Sequence, residues 1–354
     1  MITAIRKIQV FEEGSLSNED YHKEEGISSS GIHALSVGCA AKFKYGVRKP
    51  SRAMETGTAA HAHILEPALF ARDFVRDIDA NDYEKIAVTV DDIKKLMEEN
   101  GIMMTISKAC AMLKAEGIKH DKNDKDDVIA ACADIGIRVF TGKADKASLL
   151  AAVRELLPEA HVYDNLRDDL RVKYKDVTIV PVDDYDMIIS MRKSLFGRPH
   201  IAKILNAGIF VETSILCEIK VEGCADWIKV KIRPDIITKG RLVPDYKTTR
   251  DIEPGAFARS SHDAGYWIRQ VFVCDVLSAA YGKKFTPGLI AQEKTEPYIS
   301  EGFFMDDEDG LSGAREHYCE VLNRYAGYLK RDAWPSYSDK FISLGLPAWS
   351  PYLK

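Results

Sequence analysis

The sequence predicts an α/β fold, in which a central β-sheet is flanked by helices and a mainly helical segment is inserted. Short apolar runs with β-branched residues on either side of Lys239-Gly240 predict strands. Long amphipathic patterns before and after these runs predict helices, and two further helical patterns surround a very polar stretch at residues 118–127. At 354 residues, the chain can bury a full core and hold one large domain or two.

Composition indicates a globular protein, with 46% hydrophobic residues, 29% charged residues and a mean hydropathy of −0.20. No apolar run approaches the ~20 residues that span a bilayer, and the first residues lack the pattern of a signal peptide. We therefore expect a cytoplasmic protein. The net charge of −5 argues against nonspecific coating of nucleic acid but leaves room for one basic channel. The seven cysteines are scattered without a C-x-x-C, which predicts buried free thiols.

Near the N-terminus, residues 1–25 are predicted to begin with a short strand. A serine before the apolar periodicity of residues 28–35 predicts a capped helix. Lys42, Lys44 and Arg48 follow and could touch phosphates, although a solvated helix face is the simpler interpretation.

Residues 54–67 predict a second helix, in which small residues at 57–60 allow close packing. His61 and Leu65 share one stripe of this helix at a spacing of four, whereas His63 points elsewhere. From the helix alone, His61 is most simply a packed core residue.

Residues 225–250 predict a hairpin whose tight turn lies at Lys239-Gly240. Apolar and basic residues alternate in the first arm, which predicts one buried face: Ile228, Val230 and Ile232 alternate with Lys229, Lys231 and Arg233. Asp245 and Lys247 leave the same face of the second arm, and the turn would bring Asp235 beside them. Two carboxylates next to one ammonium suit Mg²⁺, or Mn²⁺ as a substitute. The alternative is a solvated hairpin with a surface ion pair.

The remaining patterns predict alternating helices and strands: a helix over Asp183–Leu205, a strand over Phe210–Leu216, a helix over His262–Tyr281, strands over Pro287–Lys294 and Tyr298–Met305, and a helix over Gly310–Arg331. Tyr266 and Gln270 lie one turn apart on the helix 262–281 and face the same way, with Arg269 adjacent. Taken alone, they would be a core tyrosine and a surface glutamine.

Pro234-Asp235 and Asp245-Tyr246-Lys247 resemble the Pro-Asp…(Asp/Glu)-x-Lys signature of the PD-(D/E)XK restriction-endonuclease-like nuclease superfamily. Thr248–Asp251 and Gly57-x-x-x-His61, followed by Leu-Glu-Pro, are similar to its RecE-type exonuclease branch, the exodeoxyribonuclease VIII-like proteins of phages and prophages. The resemblance implies a mixed sheet. It divides the chain into residues 1–75 and 176–354 as the nuclease body, with residues 76–175 as a helical insertion of uncertain role.

The same resemblance implies roles for individual residues. Asp235 and Asp245 would bind the metal together with the Tyr246 carbonyl and His61. Lys247 would position or deprotonate the water, and deprotonation requires a depressed pKa or close metal contact. Tyr266 and Gln270 would lie near the metal and the DNA. Glu212 or Glu218 could support the site, or be ordinary strand charges. Candidates for holding the DNA backbone are Arg233, Lys231, Lys229, Arg250 and Arg269.

The resemblance implies a Mg²⁺-dependent exodeoxyribonuclease that degrades linear duplex DNA from 5′ ends. Its 3′ tails would serve a single-strand annealing protein in phage-type recombination, and such enzymes form ring-shaped homo-oligomers. The alternatives are a Cas4/RecB-like single-strand nuclease or endonuclease, a non-catalytic DNA-binding relative, or a structural phage protein. The C-terminal cysteines that hold an iron–sulfur cluster in some relatives are missing. Residues 136–150 resemble SAP-like helix–extension–helix modules that bind DNA, although a protein-contact or structural insert is the alternative.

Overall fold

A computed structural model describes residues 1–47, 52–143, 145–350 and 352 of the chain, so Arg48 lies outside the described residues. The chain divides into two compact units. Following the resemblance, we call them the nuclease unit (Met1–Phe70 and Met187–Lys354) and the inserted unit (Ala71–Asp186). The predicted limits of the helical insertion, residues 76 and 175, both fall inside the inserted unit. None of the helices in the described part of the chain has both the length and the apolar character that crossing a bilayer requires.

The fold is α/β, as predicted, with about 49% helix and 19% strand. The strands are β1 (Ile2–Phe11), β2 (Ile27–Ser28), β3 (Phe74–Arg76), β4 (Ile102–Met103), β5 (Arg138–Val139), β6 (Thr178–Val180), β7 (Gly208–Val211), β8 (Ser214–Val221), β9 (Ile228–Ile232), β10 (Ile236–Thr238), β11 (Leu242–Thr249), β12 (Thr286–Glu293) and β13 (Ser300–Phe304). The helices are α1 (Asn18–Lys23), α2 (Ser29–Val37), α3 (Ala40–Tyr45), α4 (Arg52–Leu65), α5 (Pro67–Asp73), α6 (Val90–Glu99), α7 (Ile106–Ala115), α8 (Lys125–Asp134), α9 (Lys146–Leu156), α10 (Tyr163–Lys173), α11 (Val182–Phe196), α12 (Pro199–Asn206), α13 (Pro254–Asp263), α14 (Tyr266–Tyr281) and α15 (Glu308–Arg331), with a 3-10 turn at Ala80–Asp82.

The sheets of the nuclease unit combine both kinds of strand pairing. One has the order β1-β8-β9-β2, in which β2 runs parallel to β9 and the other pairs are antiparallel. In a second sheet, β11 runs parallel to β12, which pairs antiparallel with β13. Helices α2, α14 and α15 cover the first sheet, and Ile32, Phe272 and Tyr318 are fully buried between them. The mixed sheet that the resemblance implied is therefore present.

The tight turn of the predicted hairpin is present, but its two arms do not pair with each other as strands. Arg241, with φ of 64°, donates its N–H to the Thr238 carbonyl at 2.9 Å, which closes the turn. The Thr238 hydroxyl then accepts the Leu242 N–H at 3.0 Å, at the position where a hairpin ladder would begin. Instead, β10 pairs with β7, and β11 pairs with β12.

Two helices and one strand are interrupted where the sequence predicts continuous elements. The helix predicted over 262–281 breaks at Gly265, whose φ is 67° and whose missing side chain leaves room for the His33 ring. The helix predicted over 183–205 ends at Phe196, and Pro199 starts a new one. The strand predicted over 210–216 kinks at Glu212, which has a φ of 48°.

The inserted unit contains two helix–strand–helix segments, and each helix of one segment packs against a helix of the other. In sequence, the first segment is α6-β4-α7 and the second is α8-β5-α9, and β4 pairs in parallel with β5. Helix α6 packs on α9, however, and α7 packs on α8. The first core contains Ile93, Met97, Ile102, Met104, Leu149 and Val153, and the second contains Ala109, Leu113, Val128 and Cys132. Each core thus combines the first helix of one segment with the second helix of the other.

Candidate active site

Asp235 lies at the centre of the candidate site, in the short connection between β9 and β10. Its buried carboxylate accepts the backbone N–H of Tyr246 at 2.7 Å, and its backbone carbonyl accepts the N–H of Glu212 at 3.1 Å. The first of these hydrogen bonds joins Asp235 to β11 directly. The predicted position of Asp235 beside the Asp245-x-Lys247 pair is therefore confirmed.

Asp245 and Lys247 leave the same face of β11, as their spacing predicts. The Lys247 ammonium lies 2.5 Å from a carboxylate oxygen of Asp245 and also donates to the Tyr246 carbonyl at 3.0 Å. Both side chains are largely buried. The Tyr246 carbonyl predicted as a metal ligand is thus already a hydrogen-bond acceptor, although a carbonyl oxygen has a second lone pair.

His61 reaches the same carboxylate from α4. Its Nε2 atom lies 3.0 Å from Asp235 Oδ2 and 3.5 Å from Glu212 Oε1. Ala59, Ala60 and Ala62 are buried around it, so the small side chains of this helix permit its close approach to β11. His61 is therefore part of the site rather than an isolated core residue.

Glu212 is more central than the sequence suggested. It occupies the kink between β7 and β8, and its Oε1 atom is buried without a hydrogen-bond partner among the described residues. Ligand atoms of Glu212, His61 and Asp235 all lie within 4.8 Å of one another. The sequence signal for this role is an acid between two apolar β runs. Glu218, the other acid considered, instead pairs with Arg6 and Lys7 on the first sheet.

The charges of the site shift its pKa values in opposite directions. Burial, and then the charge of Asp235, raise the pKa of Glu212 to about 8 and also raise the pKa of Asp245. Burial alone would raise the pKa of Asp235, but His61 and Lys247 hold it well below its usual range. Burial lowers the pKa of His61, but Asp235 and Glu212 outweigh it and raise the pKa to about 9. The site thus contains three buried acids and only two cations, so the three carboxyl groups cannot all be ionised without a further positive charge.

The pKa of Lys247 bears on its two predicted roles. Burial lowers this pKa, but the charges of Asp245 and Asp235 outweigh burial and raise it above the usual value. The ammonium form that follows fits a positioning role, and deprotonation of water by Lys247 would require the close metal contact named in the prediction.

These residues fit a divalent cation. Glu212 Oε1 has no hydrogen-bond partner among the described residues, and the raised pKa values of Glu212 and Asp245 indicate that the positive charge around them does not balance the three acids. Carboxylate oxygens are the ligands that Mg²⁺ and Mn²⁺ prefer. His61 can bind a metal only after it loses the proton that it shares with Asp235.

A small cavity of about 90 Å³ opens beside Asp235, Asp245 and Lys247, and its other lining residues are Ser29, Arg233, Pro234, Tyr266, Arg269, Gln270 and Val273. The Tyr266 ring centre lies 5.8 Å from the Lys247 ammonium. Gln270 is buried, and its amide donates to the carbonyls of Val243 and Gly288, which ties β11 to β12. Arg269 Nε is buried without a hydrogen-bond partner among the described residues. The predicted Tyr266, Gln270 and Arg269 thus all line this cavity.

The basic residues predicted to hold DNA occupy different environments. Lys231 is buried, and its ammonium donates to the carbonyls of Tyr21, His22 and Glu24 at the end of α1. These bonds use all three of its N–H groups, so we correct its role from a phosphate contact to a structural cap.

Arg233 lines the cavity, but it also donates to Ser214 and to the Leu16 carbonyl. Lys229 is exposed and pairs with Glu25. Arg250 is exposed at the end of β11. Arg250 and Arg269 therefore remain the predicted phosphate contacts whose cationic groups are least engaged, and Lys229 would have to exchange Glu25 for a phosphate.

Comparison with known proteins gives one family match. Residues 173–344 match the family described as "PDDEXK-like domain of unknown function (DUF3799)". No protein of curated function matches the chain. In structure, the chain is similar to a "Putative exonuclease" from Eubacterium rectale, with 12% identity and a TM-score of 0.36 over 77% of this chain and 96% of that one. It is also similar to a protein called SSO0001, with 19% identity and a TM-score of 0.23 over 45% of this chain and 71% of that one.

Both TM-scores and both identities are too low for these structures to bear on function, which leaves the family match and the fold. The matched residues contain the kinked strand with Glu212, the Pro234-Asp235 connection and the Asp245-x-Lys247 strand, on sheets of mixed pairing. Residues 173–344 are therefore similar to a PDDEXK-like domain, and this match supports the resemblance to the PD-(D/E)XK nuclease superfamily.

Proposed function

We propose that the protein is a Mg²⁺-dependent exodeoxyribonuclease that hydrolyses phosphodiester bonds of linear duplex DNA from its ends. The observation that best supports nuclease chemistry is the Asp235 carboxylate, fixed by the Tyr246 N–H at 2.7 Å and by His61 at 3.0 Å. Two further acids, Glu212 and Asp245, have raised pKa values around it. Clusters of buried acids with perturbed pKa values are typical of active sites.

Asp235, Asp245, Glu212 and His61 are the side chains that would hold Mg²⁺, or Mn²⁺ in its place. A bound divalent cation would neutralise the charge of phosphate oxygens. It would also lower the pKa of a bound water molecule, so that a hydroxide is available as the nucleophile. The Tyr246 carbonyl oxygen would be a further ligand.

The chain's own groups bind and orient the substrate. The Lys247 ammonium, held between Asp245 and the Tyr246 carbonyl, presents its remaining hydrogen to the cavity and orients a water molecule or a phosphate oxygen. Arg269 Nε–H is buried without a partner among the described residues, which suits a charge-assisted hydrogen bond to a phosphate. Gln270 fixes the spacing of β11 and β12 beneath these groups.

The exonuclease form of the proposal is supported by the resemblance to RecE-type enzymes at Gly57-x-x-x-His61 and at Thr248–Asp251. Tyr266-x-x-x-Gln270 resembles RecB-like nucleases and supports the nuclease site without favouring either class. On the basis of the RecE-type resemblance, the substrate is the end of duplex DNA, the direction is 5′ to 3′, and the products are 3′ single-stranded tails for a single-strand annealing protein. A ring-shaped homo-oligomer would keep the enzyme on its DNA. Backbone contacts would not read sequence.

The test is digestion of linear duplex DNA beside the same DNA closed into a circle, with Mg²⁺ and with a chelator. Lys247→Ala is the inactive variant, and Lys95→Ala, an exposed lysine of the inserted unit, is the matched control. We expect wild type and Lys95→Ala to degrade only the linear form, and labels at each end would give the direction.

Cleavage of the circle or of single strands would replace the exonuclease with a Cas4/RecB-like nuclease or endonuclease that has the same metal site. Equal inertness of wild type and Lys247→Ala, together with DNA binding, would indicate a non-catalytic relative.

A further inference from the structure

A second cavity of about 730 Å³ lies in the nuclease unit, in the size range of about 300–1,000 Å³ that is typical of ligand pockets. Its walls come from the end of α2, the α13–α14 junction and the first turns of α15. None of the residues described above as metal ligands contributes to it. The proposed function leaves this cavity without a role.

This cavity adjoins the catalytic one across the contact between α2 and α14. On α2, Ser29 lines the catalytic cavity, and His33, one turn later, lines the second. On α14, Tyr266 and Arg269 face the catalytic side, and Trp267 lines the second cavity. A strand whose phosphate contacts Arg269 would therefore have its neighbouring nucleotide next to Trp267.

Flat rings form part of the wall. Gly310 packs against the Trp267 indole, since a Cβ at this glycine would lie 2.8 Å from the ring. Gly265 packs against the His33 imidazole, where a Cβ would lie 2.0 Å from the ring. The two glycines let the backbone approach both rings closely, and the cavity remains open beside them. An aromatic surface of this kind suits stacking of a nucleobase, which contributes about 1–3 kcal/mol per base.

The polar groups of the cavity favour a neutral ligand over an anion. Asp263 and Asp307 line it together with His33, His262 and His317, whose rings carry charge only when protonated, and none of its described lining residues is Lys or Arg. Two carboxylates would repel a phosphate, but they accept hydrogen bonds from the amino groups of a base. A base enclosed by these walls and stacked on Trp267 cannot also be paired with its complement, so it must leave the helical stack.

We propose that this cavity binds the unpaired nucleobase of the nucleotide next to the scissile phosphate and stacks it on Trp267. This inference rests on the proposed nuclease function and extends it by naming a base subsite. The chain would thereby separate the terminal base pair before each cut.

The test combines a change in the protein with a change in the DNA. A Cβ at Gly313 meets nothing within 4 Å, so Gly313→Leu fills the cavity without a backbone clash, and it replaces a poor helix former in α15. Gly327→Leu, on the same helix, is the matched control, since its Cβ meets only the flexible end of Arg331. The DNA is a short duplex, either intact or with an abasic site at one nucleotide beside the first scissile phosphate.

We expect the abasic site to lower the single-turnover cleavage rate of wild type about tenfold, the equivalent of 1.4 kcal/mol of stacking. On intact DNA, Gly313→Leu should cleave about tenfold more slowly than wild type. On abasic DNA, the two proteins should cleave at the same rate. Gly327→Leu should behave as wild type. Melting temperatures should show that both variants are folded.

The base subsite would be overturned by either of two results. In the first, the rate losses caused by Gly313→Leu and by the abasic site multiply when they are combined. In the second, Gly313→Leu cleaves intact DNA at the wild-type rate. If wild type cuts no DNA, the proposed function fails on its own. The same four combinations are then measured as equilibrium binding in chelator, where the subsite predicts the same non-multiplicative pattern in Kd.

Discussion

The nuclease unit and the inserted unit treat buried charge differently. In the inserted unit, buried Asp77 is paired with Arg167 at 2.7 Å and accepts the Ile78 N–H, so its charge is satisfied. In the nuclease unit, the pKa values of Glu212 and Asp245 beside Asp235 are raised, and Arg269 Nε has no hydrogen-bond partner among the described residues. A buried charged group that has an ion-pair or hydrogen-bond partner is compatible with a structural role. Buried charged groups that lack such partners indicate a ligand-binding or active site.

The balance of charge differs as well. The inserted unit contains 18 Lys and Arg against 25 Asp and Glu, a net charge of −7, and the nuclease unit contains 31 against 29, a net charge of +2. A nucleic-acid-binding module usually has a basic surface. The charge of the inserted unit thus favours a protein-contact or structural role over DNA binding by its SAP-like segment.

The largest expected effect separates the two buried aspartates. Asp235→Asn keeps the size of the side chain and an acceptor for the Tyr246 N–H, but it removes the charge that faces His61. We expect kcat for DNA cleavage to fall by on the order of 10²–10³ or more. Because His61 and Lys247 stabilise the ionised form of Asp235, the melting temperature should also fall, so cleavage is measured at a temperature where the variant is folded.

Asp77→Asn is the matched control, since Asp77 is as buried as Asp235. It should leave cleavage unchanged and destabilise the protein by about 1–2 kcal/mol through its weakened pair with Arg167. Comparable loss of activity in both variants would mean that the contrast between the units is not functional.

The candidate site could be predicted where its geometry depends on a short stretch of chain. Asp245 and Lys247 share a face because the side chains of a strand alternate, and Tyr266 and Gln270 share one because a helix repeats every 3.6 residues. The resemblance then brought in His61, which lies far away in sequence.

Tertiary contacts decided the rest. Lys231 follows the alternating pattern of an exposed face, but the end of α1 covers it and turns it into a cap. The kink at Glu212 has no local sequence cause such as glycine, and the strand is held in that shape by the Glu212 N–H bond to Asp235. The strand partners of β10 and β11 depend on β7 and β12, which no pattern within residues 225–250 could identify.

The exchanged helices of the inserted unit predict a specific pattern of coupling. Ile93 and Leu149 are fully buried in one core, and Leu113 is fully buried in the other. Each change to Ala should cost about 2–5 kcal/mol. Ile93→Ala and Leu149→Ala should be coupled by about 0.5–3 kcal/mol, whereas Ile93→Ala and Leu113→Ala should add.

The measurement is urea unfolding followed by far-UV circular dichroism. All four tryptophans lie in the nuclease unit, at positions 227, 267, 334 and 349, so their fluorescence monitors that unit alone as an internal control. Coupling of Ile93 to Leu113 instead of Leu149 would show that each helix–strand–helix segment forms its own core.

The smallest expected effect concerns two neighbouring lysines of β9 that the sequence treats alike. Lys231→Met removes three hydrogen bonds to backbone carbonyls in a buried position, so we expect a loss of about 2–3 kcal/mol in the free energy of unfolding. Lys229→Met removes only an exposed ion pair with Glu25 and should change stability by less than about 1 kcal/mol.

DNA binding should reverse this order. If Lys229 contacts a phosphate, Lys229→Met lowers the slope of log Kd against log salt by about 1. Lys231→Met should leave that slope unchanged at a temperature where the variant is folded, because its ammonium has no hydrogen left for a phosphate. A changed slope for Lys231→Met would show that the cap opens when DNA binds, and that buried charge in the nuclease unit can be released for its substrate.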